Sequence, residues 1–437
     1  MERGISVLGL FVMLGLAWAM SNNRRQINLR LVAGGLLLQL GFALLILKTE
    51  PGRNLFNWLG DLFRSMQSFT DAGTGLLFGI NQADAPPDQM LLRTFAFGVL
   101  PTIIFFSALM SVLYHLGLLQ VVVRGMAWLM QKTLGTSGAE TLSAAANVFV
   151  GQTEAPLVIK PYLSKMTESE LMSLMVGGFA TIAGGVLAVY VSMGIDAGHL
   201  LTASVISAPA ALVIAKIMMP ETGTPETAGG RIPEIPRTAG NLIEAATQGT
   251  SDGLKLALNV GAMLIAFTAL VALLDALVGW TGTLFGQVGE DAWSLGLLFG
   301  YLFAPIAFCL GVPTEDTLHV GQLLGLKMAT NEFLAYDQMQ NWVKNTEDGV
   351  ELSMRSRIIL TYALAGFANV ASIGIQIGGI GALVPERRSD LTRIGVKAML
   401  GGTLACFMTA CIAGALIGDP PAEAEKPNAT AEEPTDV

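Results

Sequence analysis

The chain has 437 residues, of which 52% are hydrophobic and only 14% are charged, whereas soluble domains carry roughly 25% charged residues. Several apolar runs approach or exceed the ~20 residues that cross a bilayer, so the composition predicts an all-α polytopic membrane protein. The net charge of −9 identifies no partner, because membrane topology depends on where Lys and Arg fall. No basic or aromatic cluster indicates nucleic acid binding.

The first half of the chain predicts five transmembrane helices. The apolar run 6–20 is interpreted as the first of them, because no small-residue cleavage site follows it and several arginines do; a cleaved signal peptide is the alternative. Segments 54–80 and 121–133 mix aromatic, apolar and charged residues, a pattern typical of interfacial helices. The other four spans are predicted at 30–48, 95–119, 171–194 and 197–218.

The second half predicts three further spans, at 254–279, 358–383 and 394–417. The apolar run 293–312 contains Pro305 and ends before Pro313, which is compatible with either a span or a surface helix. The placement of Lys and Arg puts both termini outside the cytoplasm in this topology of about eight spans. We divide the chain into an N-terminal segment (1–94), a first repeat (95–218), a cytoplasmic linker (219–252), a second repeat (253–418) and a disordered acidic tail (419–437).

A polar stretch inside an apolar region stands out between Thr141 and Pro156. It contains Glu154, and a carboxylate at membrane depth is costly unless it faces a cavity or a partner. Pro156 removes a backbone donor and disfavours helix in the residue before it, which predicts a helix break. The apolar arm before the break is too short to cross the bilayer. We therefore expect a re-entrant hairpin, with a single kinked span as the alternative.

Two short segments, 178–184 (GFATIAG) and 366–372 (GFANVAS), match each other far apart in the chain. Each follows a polar motif that contains a glutamate, Glu154 in the first half and Glu332 in the second. Two predicted spans separate the matched segments, so the second copy should enter the membrane in the opposite sense. This is an inverted internal repeat with a second hairpin, an architecture that places a binding site near the bilayer midplane.

The side chains of the two motifs favour a neutral solute rich in hydroxyl or heterocyclic groups. Carboxylates accept hydrogen bonds in pairs, as vicinal hydroxyls or a ring N–H edge require, and neither motif supplies Arg or Lys for an anion. We expect Glu154 and Glu332 to face each other across the site. An intramembrane enzyme that uses them as acid and base is a weaker alternative, since no H-E-x-x-H motif or nucleophile accompanies them. A channel is disfavoured, because an occluded polar site binds a solute.

Four motifs resemble those of the concentrative nucleoside transporter family: GQTEAP at 151–156, TNEFLAY at 330–336, GFANVASIGIQIGG at 366–379 and ACFMTACIAG at 405–414. The resemblance implies a homotrimeric secondary transporter of the plasma or inner membrane that carries nucleosides into the cell with a cation gradient. It implies that the nucleobase contacts Gln152, Thr153 and Glu154 and packs against Val186 and Phe367. It further implies that the ribose is held by Glu332, Asn369 and Ser372.

The same resemblance implies a sodium site and no other cofactor. The site maps to the Asn147 side chain, the Val150 carbonyl, Thr181 and the Ile182 carbonyl. All four supply oxygen, which a hard cation requires. Some members of the family use protons, so a proton-coupled carrier is the alternative. The resemblance also implies that the two hairpins, with the spans at 171–194 and 358–383, move against a scaffold that includes the spans at 95–119 and 254–279.

Overall fold

The computed structural model describes residues 1–78, 95–98, 100–229, 239–287, 293–344 and 350–417. Every regular element in these ranges is helical, as the composition predicts. The acidic tail at 419–437 and the middle of the linker, 230–238, lie outside the described residues.

Among the described residues, six α-helices precede the first hairpin: α1 (Glu2–Ala19), α2 (Leu29–Lys48), α3 (Glu50–Phe78), α4 (Phe95–Gly98), α5 (Leu100–His115) and α6 (Leu118–Leu134). The first two cover the spans predicted at 6–20 and 30–48. The chain bends by 73° between α5 and α6, with Gly117 in the left-handed region at a φ of 83°. The bend lies inside the last residues of the span predicted at 95–119, so that span ends earlier than predicted and the helix predicted at 121–133 begins earlier, at Leu118.

The polar stretch forms the predicted hairpin of two short arms, α7 (Gly138–Ala146) and α8 (Ala155–Val158). Ser137 and Glu140 start α7 with a capping box, in which each side chain accepts a hydrogen bond from the other's backbone N–H. Nine residues of helix extend only about 14 Å at 1.5 Å per residue, so α7 cannot cross the bilayer. Pro156 lies in the first turn of α8, where its missing N–H costs nothing.

The span predicted at 171–194 is a broken helix rather than a continuous one. It consists of α9 (Glu168–Ala180) and α10 (Gly184–Ser192), and α11 (Ala197–Met218) follows. Thr181 is extended between the two halves, with φ −126° and ψ 166°. The first hairpin satisfies the break, since the Gly184 N–H donates to the Phe149 carbonyl at 3.0 Å. A Cβ at Gly184 would lie 2.8 Å from that oxygen, so the approach requires glycine.

The second half repeats this order of elements. Its helices are α12 (Leu242–Leu284), α13 (Leu295–Leu310), α14 (Thr317–Ala329), α15 (Glu332–Lys344), α16 (Met354–Leu364), α17 (Val370–Leu383) and α18 (Arg388–Leu416). The arms α14 and α15 form the second hairpin, and α16 and α17 are a second broken helix at the span predicted at 358–383. The helix predicted at 254–279 begins earlier, at Leu242.

Six described segments are long and apolar enough to cross a membrane when the broken pair α9 and α10 is counted as one, or seven if the bent pair α5 and α6 also counts as one span. The eight predicted spans include 358–383, which the break divides into helices of 11 and 14 residues. Hydrophobicity alone could not reveal this break, because Asn369 is its one polar residue and no proline marks it.

A buried carboxylate anchors the base of each hairpin at matching positions of the repeat. Glu140 pairs with Lys216 of α11 at 2.7 Å, and the two side chains are 2% and 5% exposed. Asp316 accepts hydrogen bonds from the hydroxyls of Ser353 and Ser356 at 2.7 and 2.5 Å. A buried charge or acceptor left without its partner is costly, so these contacts fix where each hairpin starts.

Candidate binding site

Glu332 lies at the start of α15, at the tip of the second hairpin, and is 2% exposed. One of its carboxyl oxygens accepts a hydrogen bond from the Tyr190 hydroxyl at 2.7 Å. The other accepts from Asn369 Nδ2 at 3.0 Å. The hairpin tip is therefore attached to both broken helices, since Tyr190 belongs to α10 and Asn369 starts α17.

Asn369 and Ser372 are positioned by the break between α16 and α17. Asn369 is the N-cap of α17, and its Oδ1 accepts a hydrogen bond from the Ser372 N–H at 2.9 Å. Asparagine is favoured at this position because its side chain satisfies an otherwise free N–H of the first turn. Both residues are buried, at 2% and 3% exposure. The break thus brings an amide and a hydroxyl to the second hairpin.

The tip of the first hairpin reaches the same helix through Gln152. The Gln152 Nε2 donates to Ser372 Oγ at 3.4 Å. Two glycines permit this approach, because a Cβ at Gly178 would lie 2.9 Å from Gln152 Cβ and one at Gly379 would lie 2.7 Å from Thr153 Cγ2. The described contacts therefore form a continuous series from Gln152 through Ser372 and Asn369 to Glu332, which links the two hairpins.

Glu154 has surroundings different from those of Glu332. It is exposed, accepts a hydrogen bond from the Thr153 hydroxyl at 3.3 Å, and lines a cavity of about 250 Å³. The opposite wall of that cavity comes from α5 and α12 and includes Tyr114 and Asp252. Within the described ranges no hydrogen bond joins Glu154 to Glu332. The two glutamates therefore have different contacts, and Glu332 is not among the residues that line this cavity.

Val186 and Phe367 are placed at the two helix breaks. Val186 lies in the first turn of α10 and is 1% exposed, whereas Phe367 lies between α16 and α17 and is partly exposed. Both breaks therefore supply an apolar side chain next to polar ones.

Two of the residues mapped to a sodium site, Asn147 and Thr181, both lie next to Gly177 of α9. Asn147 is the C-cap residue of α7 and is 1% exposed. A Cβ at Gly177 would lie 3.3 Å from the Asn147 Nδ2. Thr181 Oγ1 donates to the Gly177 carbonyl at 2.9 Å, so its lone pairs stay available. Val150 lies in the hairpin turn and Ile182 in the break.

The Asn147 side chain fits a cation ligand. Its Oδ1 is buried and has no hydrogen-bond partner within the described part of the chain, and leaving such an acceptor unsatisfied costs about 1–3 kcal/mol. A neutral set of side-chain and carbonyl oxygens suits a hard monovalent cation, whereas the described residues hold no cluster of three His, Cys, Asp or Glu for a transition metal.

Three residues that contact or approach this region were not identified from the sequence. They are Tyr190, which holds Glu332, Gln376, which donates to Gln152 Oε1 at 3.0 Å, and Lys327, which is fully buried and donates to the Ala363 carbonyl at 2.9 Å. In the sequence each of these residues is only a single polar side chain within an apolar helix. Such residues also occur wherever membrane helices hydrogen-bond to each other, so this pattern does not identify a binding site.

Three family models match the chain: "Na+ dependent nucleoside transporter N-terminus" over residues 8–81, "Nucleoside recognition" over 96–197, and "Na+ dependent nucleoside transporter C-terminus" over 199–414. The Eptatretus stoutii protein "Solute carrier family 28 member 3" is 45% identical over 422 residues, which is 94% of this chain and 60% of that protein. The chain thus spans about 60% of the length of that relative.

An "Uncharacterized transporter" of Haemophilus influenzae is 44% identical over 416 residues, covering 94% of this chain and 97% of that protein. Among solved structures, CNTnw in an inward-facing substrate-bound state superposes with a TM-score of 0.88 at 39% identity, over 95% of this chain and 98% of that one.

Proposed function

The chain belongs to the Na+-dependent nucleoside transporter family, and on this premise we propose that it is a secondary active transporter that imports nucleosides together with sodium. The observation that carries the proposal is the buried hydrogen-bonded series from Gln152 to Glu332. It offers amide and hydroxyl groups and one carboxyl group, with no Arg or Lys among its members. Such a set complements a neutral solute that carries both hydroxyl groups and a polar heterocycle.

Each end of the series suits one part of a nucleoside. Glu332, Asn369 and Ser372 lie together at the second hairpin, where a carboxylate can accept from two vicinal ribose hydroxyls while the neutral groups donate. Gln152, Thr153 and Glu154 form the first hairpin's tip, which is the proposed contact for the nucleobase. Val186 and Phe367 would cover the apolar faces of the ligand.

Sodium would couple to the substrate through the first hairpin. The proposed ligands Asn147 and Val150 precede Gln152 in the same turn, and Thr181 and Ile182 belong to the break that the turn contacts. A cation bound there would hold the turn against the break and so place Gln152 for the nucleobase. Such a coupling is reciprocal, because each ligand then raises the affinity of the other.

The proposed transporter has a moving transport unit and assembles as a homotrimer. The cavity beside Glu154 lies between the first hairpin and the pair α5 and α12, which fits a transport unit of hairpins and broken helices that moves against a scaffold. α12 is largely exposed, with Ile265 at 76% and Leu258 at 64%. Its apolar surface suits lipid and the neighbouring subunits of a homotrimer.

The proposal is tested with purified protein in liposomes. We expect uptake of labelled uridine to follow an imposed sodium gradient at equal pH on both sides. Uptake that follows only a pH gradient would instead establish proton coupling, and uptake that responds to neither gradient would contradict secondary active transport. Competition by adenosine, guanosine and cytidine then defines the preferred base.

A further inference from the structure

Gln376 lies on α17, one helical turn after Ser372 and therefore on the same face of the helix. It is fully buried. Its amide nitrogen donates two hydrogen bonds, to the Met175 carbonyl oxygen at 3.1 Å and to Gln152 Oε1 at 3.0 Å. Gln376 therefore connects α9, α17 and the first hairpin behind the proposed nucleobase contact.

The Met175 carbonyl determines the orientation of two side-chain amides, those of Gln376 and Gln152. A carbonyl oxygen can only accept, so the nitrogen of Gln376 faces Met175. The same nitrogen meets Gln152, which must then present its Oε1. The Gln152 nitrogen consequently faces Ser372 and the interior of the site.

The other end of the series is fixed in the same way. The Ser372 N–H can only donate, so Asn369 presents Oδ1 to it and turns Nδ2 to Glu332. Every amide in the series therefore has one orientation that satisfies its neighbours. A ligand between the hairpins meets N–H donors at Gln152 and Asn369 and acceptor oxygens at Glu332.

We propose that Gln376 is a positioning residue that fixes Gln152 as a hydrogen-bond donor, so that the first hairpin selects a nucleobase edge carrying an acceptor, either a ring carbonyl oxygen or an unprotonated ring nitrogen. The inference rests on the proposed nucleoside transport. Without Gln376 the Gln152 amide has no partner for its oxygen and can turn that oxygen toward the ligand. The loss is about one net hydrogen bond, which corresponds to a roughly three- to tenfold weaker affinity.

The test is a double-mutant cycle on uridine uptake in liposomes at saturating sodium. Gln376→Met removes the donor and keeps the approximate volume, and Gln152→Met removes the group that it positions. We expect Gln376→Met to raise the KM for uridine roughly three- to tenfold in the native background. In the Gln152→Met background the same change should alter KM by less than about twofold, since contacts that act through one residue are not additive.

Two further measurements separate positioning from a general structural role. The matched control is Gln39→Met, which changes another fully buried glutamine, on α2, that donates to Thr409 Oγ1 at 3.1 Å; it should leave the uridine KM unchanged. Analogues that lack the 2-carbonyl or the 4-carbonyl oxygen are tested as competitors of labelled uridine uptake. One of them should compete poorly with uridine for uptake by the native protein, because it lacks the acceptor that Gln152 contacts. The difference in competition between this analogue and unlabelled uridine should shrink in Gln376→Met.

Equal effects of Gln376→Met in both backgrounds, or no effect in either, overturn the positioning role. Gln376→Asn keeps an amide but is one carbon shorter, so it cannot reach both partners. It should raise KM in the same direction and serves as the test should the methionine variant not fold. A native protein that transports no nucleoside refutes the proposed function itself, whereas a native protein that transports with additive variants refutes only the positioning role.

Discussion

Replacement of Glu332 by glutamine is the sharpest test of the proposed ribose contact. The side chain is 2% exposed and accepts from Tyr190 and Asn369. In Glu332→Gln the single remaining acceptor oxygen is held by Asn369 Nδ2, which must donate. The new nitrogen then faces the Tyr190 hydroxyl, which can rotate and accept. The internal partners remain satisfied, so we expect the variant to fold.

The substituted glutamine still bonds to Tyr190 and Asn369, but the bound nucleoside loses a hydrogen bond to a carboxylate. A hydrogen bond to an ionised group contributes about 1.5–3 kcal/mol, and loss of one such bond to a ribose hydroxyl corresponds to a roughly 10- to 150-fold increase in the uridine KM. The assay is initial uptake of labelled uridine into liposomes across a range of uridine concentrations, with size-exclusion chromatography to confirm folding. Asp337→Asn, at an exposed position of the same helix, is the control and should leave KM unchanged. A folded Glu332→Gln protein with the native KM would refute the assigned role.

Three other predictions follow from the described contacts. Thr181→Val removes the proposed hydroxyl ligand while keeping the shape, so the sodium concentration for half-maximal uptake should rise about tenfold for the loss of roughly 1.4 kcal/mol; an unchanged sodium dependence would remove Thr181 from the site. Lys216→Met leaves Glu140 buried without its cation, and the free energy of unfolding should fall by about 3–5 kcal/mol, so a native melting temperature would contradict the anchoring role. Burial raises the pKa of Glu221, but the Lys216 ammonium and hydrogen bonds outweigh it and lower the pKa below 4.5. Its contribution to stability should therefore be present above about pH 4.5 and be lost as the pH falls through the lowered value. The melting temperatures of the native protein and Glu221→Gln should accordingly differ at pH 7 and converge in acid.

The amino-acid sequence by itself determined the class of fold and the location of the hairpins. Both follow from local chemistry, since Glu154 and Pro156 within apolar surroundings cannot continue a lipid-exposed helix. The matched segments around Gly178 and Gly366 revealed the repeat because each copy keeps the small residues that close packing requires. The glycine that follows the first break, Gly184, shows that requirement directly, with the Phe149 carbonyl in contact with it.

Only the tertiary structure decided how the helices break and which groups face each other. The breaks at 181–183 and 365–369 contain no proline and only one polar residue each, Thr181 and Asn369. The hairpins satisfy backbone groups beside them, the Gly184 N–H at the first and the Ala363 carbonyl at the second. Glu154 and Glu332 look equivalent in the repeat, yet one lines a cavity and the other is held by Tyr190 and Asn369. Contacts such as Gln376 to Gln152 join residues more than 200 positions apart, and no local pattern encodes such a partner.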